Sequence, residues 1–136
     1  MPAARAQSKK TPPKKPADFD VVFARLRSIL VPYAQRLEVK EDTAAYYYLE
    51  TKTAAYKGKP GVFAAVRKGK NYVSFHLMAL YVFPEMLKSV SPALLQRMQG
   101  KSCFNFTQID EELFAELERL TAASARGFAG KTARFT

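Results

Sequence analysis

The chain has one histidine, His76, and one cysteine, Cys103. An imidazole within hydrogen-bonding reach of a thiol can take its proton and leave a thiolate nucleophile. That chemistry needs the strands carrying the two residues to be neighbours, and a third group to orient the ring. Asn105 is the one orienting candidate near Cys103. Without that geometry the pair is a strand histidine and a half-buried cysteine that simply pack. A metal centre needs three or four closely spaced His, Cys or carboxylate ligands. One His and one Cys do not supply them, so no metal and no cofactor is expected. The basic turns at residues 58–61 (GKPG) and 68–70 (KGK) match neither the phosphate-loop pattern nor the dinucleotide fingerprint. Tyr46, Tyr47 and Tyr48 have the composition of a base-stacking platform on an RNA-binding sheet. The element order is not that of such a module, however, and no ribonucleoprotein motif accompanies them.

The elements that hold these residues follow from apolar spacing. Phe19, Val22, Phe23, Leu26, Ile29 or Leu30, Tyr33 and Leu37 form one helical stripe. Asp18 or Asp20 is a candidate cap, and Pro32 kinks the helix or ends it near Val31. Residues 44–53 read as a strand with Tyr47, Leu49 and Thr51 on one face and Tyr46, Tyr48 and Glu50 on the other. A second strand covers residues 62–67. A hairpin loop at residues 68–71 leads into a third strand over residues 72–80. An insert, residues 83–99, carries two short helices. Pro84 opens the first, Ser91 and Pro92 open the second, and Gly100 follows its end. Residues 101–107 read as a fourth strand. Asp110 caps a last helix, Glu111 and Glu112 complement its dipole, and Gly127 is expected to end it.

The predicted fold is therefore α+β, with an antiparallel sheet of about four strands packed on N- and C-terminal helices in the order α-β-β-β-α-α-β-α. Parity assigns Val73, Phe75, Leu77, Phe104 and Phe106 to the core face. It leaves Tyr72, His76, Lys101, Cys103 and Asn105 on the opposite face. These five are expected to line one shallow pocket, with Met78 as an apolar wall and the insert as a rim. Lys101 would bring a cation to an anionic ligand there.

A chain of 136 residues reads as one domain, here residues 17–128. The formal net charge is +10, and Arg5, Lys9, Lys10, Lys14 and Lys15 supply half of it with no acid among residues 1–16. That segment has four prolines and no large apolar residue after Met1, so it is expected to be a disordered basic tail. Residues 129–136 read as a second short basic tail. The N-terminal tail gives the chain a means of weak association with nucleic acid or another polyanion. A single cysteine forms no internal disulfide, and no apolar segment is long enough to span a bilayer. A cytoplasmic protein with no membrane partner is the expectation.

The runs KGKNYVSFHLMALYVFPEML and QGKSCFNFTQIDEELFAEL, with the opening amphipathic helix, resemble the YdhG-like family of small bacterial domains of unknown function. The resemblance spans most of residues 18–128. It implies a compact α+β fold with an antiparallel sheet on helices. Some relatives have been called frataxin-like, which implies iron handling by a dense acidic ridge on the first helix and strand. Here Asp18, Asp20, Glu38, Glu41, Asp42 and Glu50 are interspersed with Arg25, Arg27, Arg36 and Lys40. A net-basic body attracts a hard cation poorly. The sequence favours a small non-enzymatic binding domain with a small-molecule or anion site on the open sheet face. Polyanion association through the tail and loops, and a small enzyme using His76 and Cys103, are the alternatives.

Overall fold

In the computed structural model, the backbone is described for residues 16–51 and 61–135, and the side chains for residues 19–51 and 61–127. Helix α1 (Pro16–Leu30) buries Phe19, Val22, Phe23, Leu26, Ile29 and Leu30. It starts at Pro16, so Asp18 and Asp20 lie in its first turns and neither is the cap. Pro32 does not kink it. The α-helix ends at Leu30 and the chain tightens into a 3-10 helix over Val31–Arg36, with Pro32 in its first turn, where a missing N–H costs nothing. The expected disordered tail lies outside the described residues, apart from Pro16, which is helical.

The sheet has six strands: β1 (Glu38–Asp42), β2 (Tyr46–Glu50), β3 (Val62–Lys68), β4 (Val73–Leu77), β5 (Met98–Gln99) and β6 (Cys103–Phe106). Their order is β1-β2-β3-β4-β6-β5, and every neighbouring pair is antiparallel. The fold is α+β with an antiparallel sheet, as the element pattern predicts, but with two strands more. All five residues of β1 are exposed. Its sequence, EVKED, offers one apolar residue and no alternation, so no hydrophobic signal marks it. β5 is two residues long and pairs Met98 with Phe104.

The strand parity holds. Tyr47, Leu49, Thr51, Ala64, Val66, Val73, Phe75, Leu77, Phe104 and Phe106 are buried. α1 lies across β3 and β4 and against the last helix, α4 (Glu111–Phe135). The Phe106 ring meets Phe114 of α4 edge to face at 5.0 Å. Arg25 clamps the two helices together, donating to both carboxylate oxygens of Glu111 and to Glu118. That paired guanidinium holds the Glu111 carboxyl below its ordinary range.

Beyond Leu77 the structure departs from the expected strand over residues 72–80. Leu77 is the last ladder residue, Met78 turns, and Ala79–Val82 forms a one-turn helix, α2. A run as apolar as MALYV serves either geometry, and Pro84 sets the choice by ending the turn at Phe83, held outside the helical region at φ −122° and ψ 74°. Met78 consequently packs against the core and is no wall of a pocket on the opposite face. A 3-10 helix (Pro84–Ser89) and a short helix, α3 (Pro92–Leu95), complete the insert.

Ser91 caps α3 as expected, accepting from the Leu94 N–H at 3.2 Å. Its own N–H and O–H both donate to Glu116 of α4, each at 2.7 Å. Leu80, Val90 and Leu94 join the main core. The helices of the insert thus close the end of the core beside α4, and of the expected rim only its last residues, in β5, border the polar face, where Gln99 pairs with Cys103. Glu116→Ala strips two donors of their acceptor and is expected to cost about 1–3 kcal/mol. Urea unfolding measures it; an unchanged midpoint would show that the insert is held by packing alone.

Two glycine readings also change. Gly100 sits in the β5–β6 turn at φ +75°, the left-handed region that favours glycine, and not at the end of a helix. Gly127 does not stop α4. A Cβ there would lie 3.2 Å from the Phe83 ring, so the glycine admits the insert against the helix. α4 runs on to Phe135, and residues expected to form a C-terminal tail have helical backbone. Among the described residues, no helix is long and apolar enough to cross a membrane.

Candidate functional site

β4 and β6 pair directly, which brings the chain's one histidine and one cysteine together. In register, His76 faces Cys103 and Ser74 faces Asn105. Extended through β3 and β2, these pairs become two rows across the uncovered face. One runs Tyr48, Ala65, His76, Cys103 and Gln99; the other runs Tyr46, Arg67, Ser74 and Asn105. The face is polar and aromatic, with one small apolar residue, Ala65, at its middle.

His76 Nδ1 lies 3.2 Å from Cys103 Sγ and 3.1 Å from Ser102 Oγ. A neutral ring makes one hydrogen bond at Nδ1, so the thiol and the hydroxyl compete for it. Burial lowers the His76 pKa. Burial also raises the Cys103 thiol, and the Ser102 hydroxyl offsets that in part. Both shifts favour the neutral forms and oppose a thiolate–imidazolium pair. Asn105 does not orient the ring. Ser74 Oγ donates to its Oδ1 at 2.7 Å, and its Nδ2 donates to Gln99. Among the described residues, no three His, Cys, Asp or Glu side chains gather as a metal site. Of the acids named above, Asp42 pairs with Arg27, Asp20 with Lys68, and Glu38 faces Glu50 across the β1–β2 ladder.

The buried imidazole has a consequence for stability. The folded chain holds His76 neutral at pH values where the unfolded chain protonates it. The contribution is intact above the ordinary histidine value of about 6.5. It declines as the pH falls below that value and on through the lowered folded one. Wild type is expected to lose more thermal stability than His76→Gln between about pH 7 and pH 5. Parallel melting curves across that range would show that protonation of the ring is not linked to folding.

A depression of about 410 Å³ opens at the hairpin end of the same face. Arg67, Gly69, Lys70, Asn71, Tyr72 and Ser74 line it. The hairpin shapes it: the Gly69 N–H donates to the Tyr72 carbonyl at 2.9 Å, and a Cβ on Gly69 would press that oxygen at 3.2 Å. Arg67 also lies over the Tyr46 ring, 5.4 Å from its centroid.

Of the five expected site residues, His76 and Cys103 are in contact, and Asn105 stands one rung away beside Ser74. Tyr72 lines the depression instead. Lys101 is exposed in the β5–β6 turn and makes no ion pair among the described residues. The pocket is therefore not built around all five. Arg67 and Lys70 are the functional candidates that the sequence reading passed over as ordinary strand and hairpin residues. Their signal was present: Arg67 has the parity opposite to Val66, and Lys70 tips the loop beside it. No family model, curated protein or solved structure matches this chain.

Proposed function

We propose that the protein is a binding domain that takes a small anionic ligand at the hairpin end of its polar sheet face. The observation that carries this reading is the lining of the depression. Arg67 and Lys70 supply two cations, Tyr72 supplies a hydroxyl, and no carboxylate is among the lining residues. A concavity lined by one sign of charge concentrates counter-ions. Its volume falls in the range of small-molecule sites. The reading is non-enzymatic, because His76 and Cys103 are each pushed towards the neutral form and, among the described residues, no carboxylate or amide is bonded to the ring. Membership of the YdhG-like group is proposed on the GKSCFNF stretch and the acid-capped helix after it.

Titration calorimetry with pyrophosphate at low salt tests the reading. Wild type is expected to show saturable one-to-one binding. Arg67→Gln should weaken it about tenfold, the loss of one charge-assisted hydrogen bond. Arg119→Gln, an exposed position on α4, should leave it unchanged. Equal weakening in both variants would reduce the effect to general charge attraction and overturn the reading.

A further inference from the structure

Tyr72 lines the depression, and a second tyrosine, Tyr46, stands beyond Arg67 on the same face. Tyr46 stands on β2 and Tyr72 just before β4, with β3 and Arg67 between them. Two strand spacings and a two-residue offset along the chain separate them, about 12 Å. Tyr72 is 38% exposed and Tyr46 half-buried. Tyr46 is held from both sides, by the Tyr48 ring at 5.6 Å edge to face and by the Arg67 guanidinium. A base that stacks on this ring takes the place of the Arg67 guanidinium, which is then free to turn to a phosphate. Alternating aromatic rings and cations are the two things a single nucleic-acid strand requires: stacking for its bases and neutralisation for its backbone.

Resting on the anion-binding reading above, we infer that the anion the site takes is a phosphate of a single-stranded nucleic acid. The nucleic acid crosses β2, β3 and β4 at the hairpin end, with bases on Tyr46 and Tyr72 and phosphates on Arg67 and Lys70. Charge decides the path. Glu41 faces Tyr48 in register and Glu50 acts on the Tyr48 phenol, so the β1 side of the face repels phosphate. The hairpin end carries Arg67 and Lys70 with no acid in its lining. A duplex hides its base faces and cannot stack on the tyrosines, so the site discriminates by strandedness. Stacking accepts every base, so sequence preference is weak. The chain has no tryptophan, so its tyrosine emission reports ring contacts directly.

The test is fluorescence anisotropy of the full chain with a labelled oligo(dT) and with its duplex against oligo(dA), at several salt concentrations. The single strand should bind at least tenfold tighter than the duplex, and oligo(rU) within a few-fold of oligo(dT). Tyrosine emission should fall on binding. The double variant Tyr46→Thr/Tyr72→Thr keeps strand-forming residues and should lose tenfold or more in affinity, while Tyr46→Phe/Tyr72→Phe keeps the rings and the binding. A melting curve confirms that each variant is folded. Pyrophosphate should still bind both variants through Arg67 and Lys70, with at most a few-fold loss from the Tyr72 hydroxyl, so this inference can fail while the anion site stands. Equal affinity for single strand and duplex, or undiminished affinity in the threonine variant, would overturn it.

Discussion

Replacing Phe104 or Phe106 with alanine is expected to cost about 3–5 kcal/mol each, a large share of the roughly 5–15 kcal/mol that holds a domain folded. Phe104 is fully buried and Phe106 is 2% exposed. Phe104 pairs with Phe75 on one side and Met98 on the other, so it lies at the middle of the sheet's core face. Phe106 pairs with Val73 and meets Phe114 of α4 edge to face. No neighbour can collapse into the space without moving the sheet from the helices, so the cavity remains and adds to the lost transfer energy. Chemical unfolding gives the number. A loss below about 1 kcal/mol in both variants would mean that these rings do not join the sheet to α4, and the division into a core face and a polar face would fall with it.

Reversing the charge at the hairpin end should have the largest effect on binding. Arg67→Glu/Lys70→Glu replaces both cations of the depression with anions, in exposed side chains whose one ring contact is that of Arg67 with Tyr46. Stability should change by less than about 0.5 kcal/mol, as for surface substitutions generally. Anion affinity should drop by a hundredfold or more, roughly two tenfold steps for two lost contacts followed by repulsion. Salt dependence should reverse as well. Wild-type affinity falls as salt rises, because contacts to phosphate release counter-ions. The doubly reversed variant has no such contacts here, and salt would screen its repulsion. If the variant bound pyrophosphate as wild type does, the depression would not be the site.

Residues with one face in the core were legible in the sequence, and those without were not. Val73, Phe75, Leu77, Phe104 and Phe106 alternate with polar residues, and all five are buried where parity puts them. β1 has no such contrast, since an edge strand of EVKED is exposed along its whole length. The turn into α2 lay hidden in an uninterrupted apolar run that suits strand and helix alike. Gly127 looked like a helix stop because glycine usually has that role; only packing shows that it makes room for Phe83.

The site was legible to the same degree. Parity put His76, Cys103 and Asn105 on the non-core face, where they are. Their adjacency depends on β4 pairing with β6 across the insert, and nothing local encodes that pairing. Arg67 and Lys70 were plain in the sequence, but a hairpin loop next to a strand gives no sign of a depression. Its shape comes from the turn at Gly69 and the side chains of two strands.

The central claim is that the hairpin end of the polar face binds an anion. The most direct measurement is a series of amide nuclear magnetic resonance spectra of the isotope-labelled full chain as pyrophosphate is added. The amides of Arg67, Gly69, Lys70, Tyr72 and Ser74 should shift together along one saturable curve, while those of α4 stay in place. Shifts confined to other basic parts of the chain, or none at saturating pyrophosphate, would contradict the account.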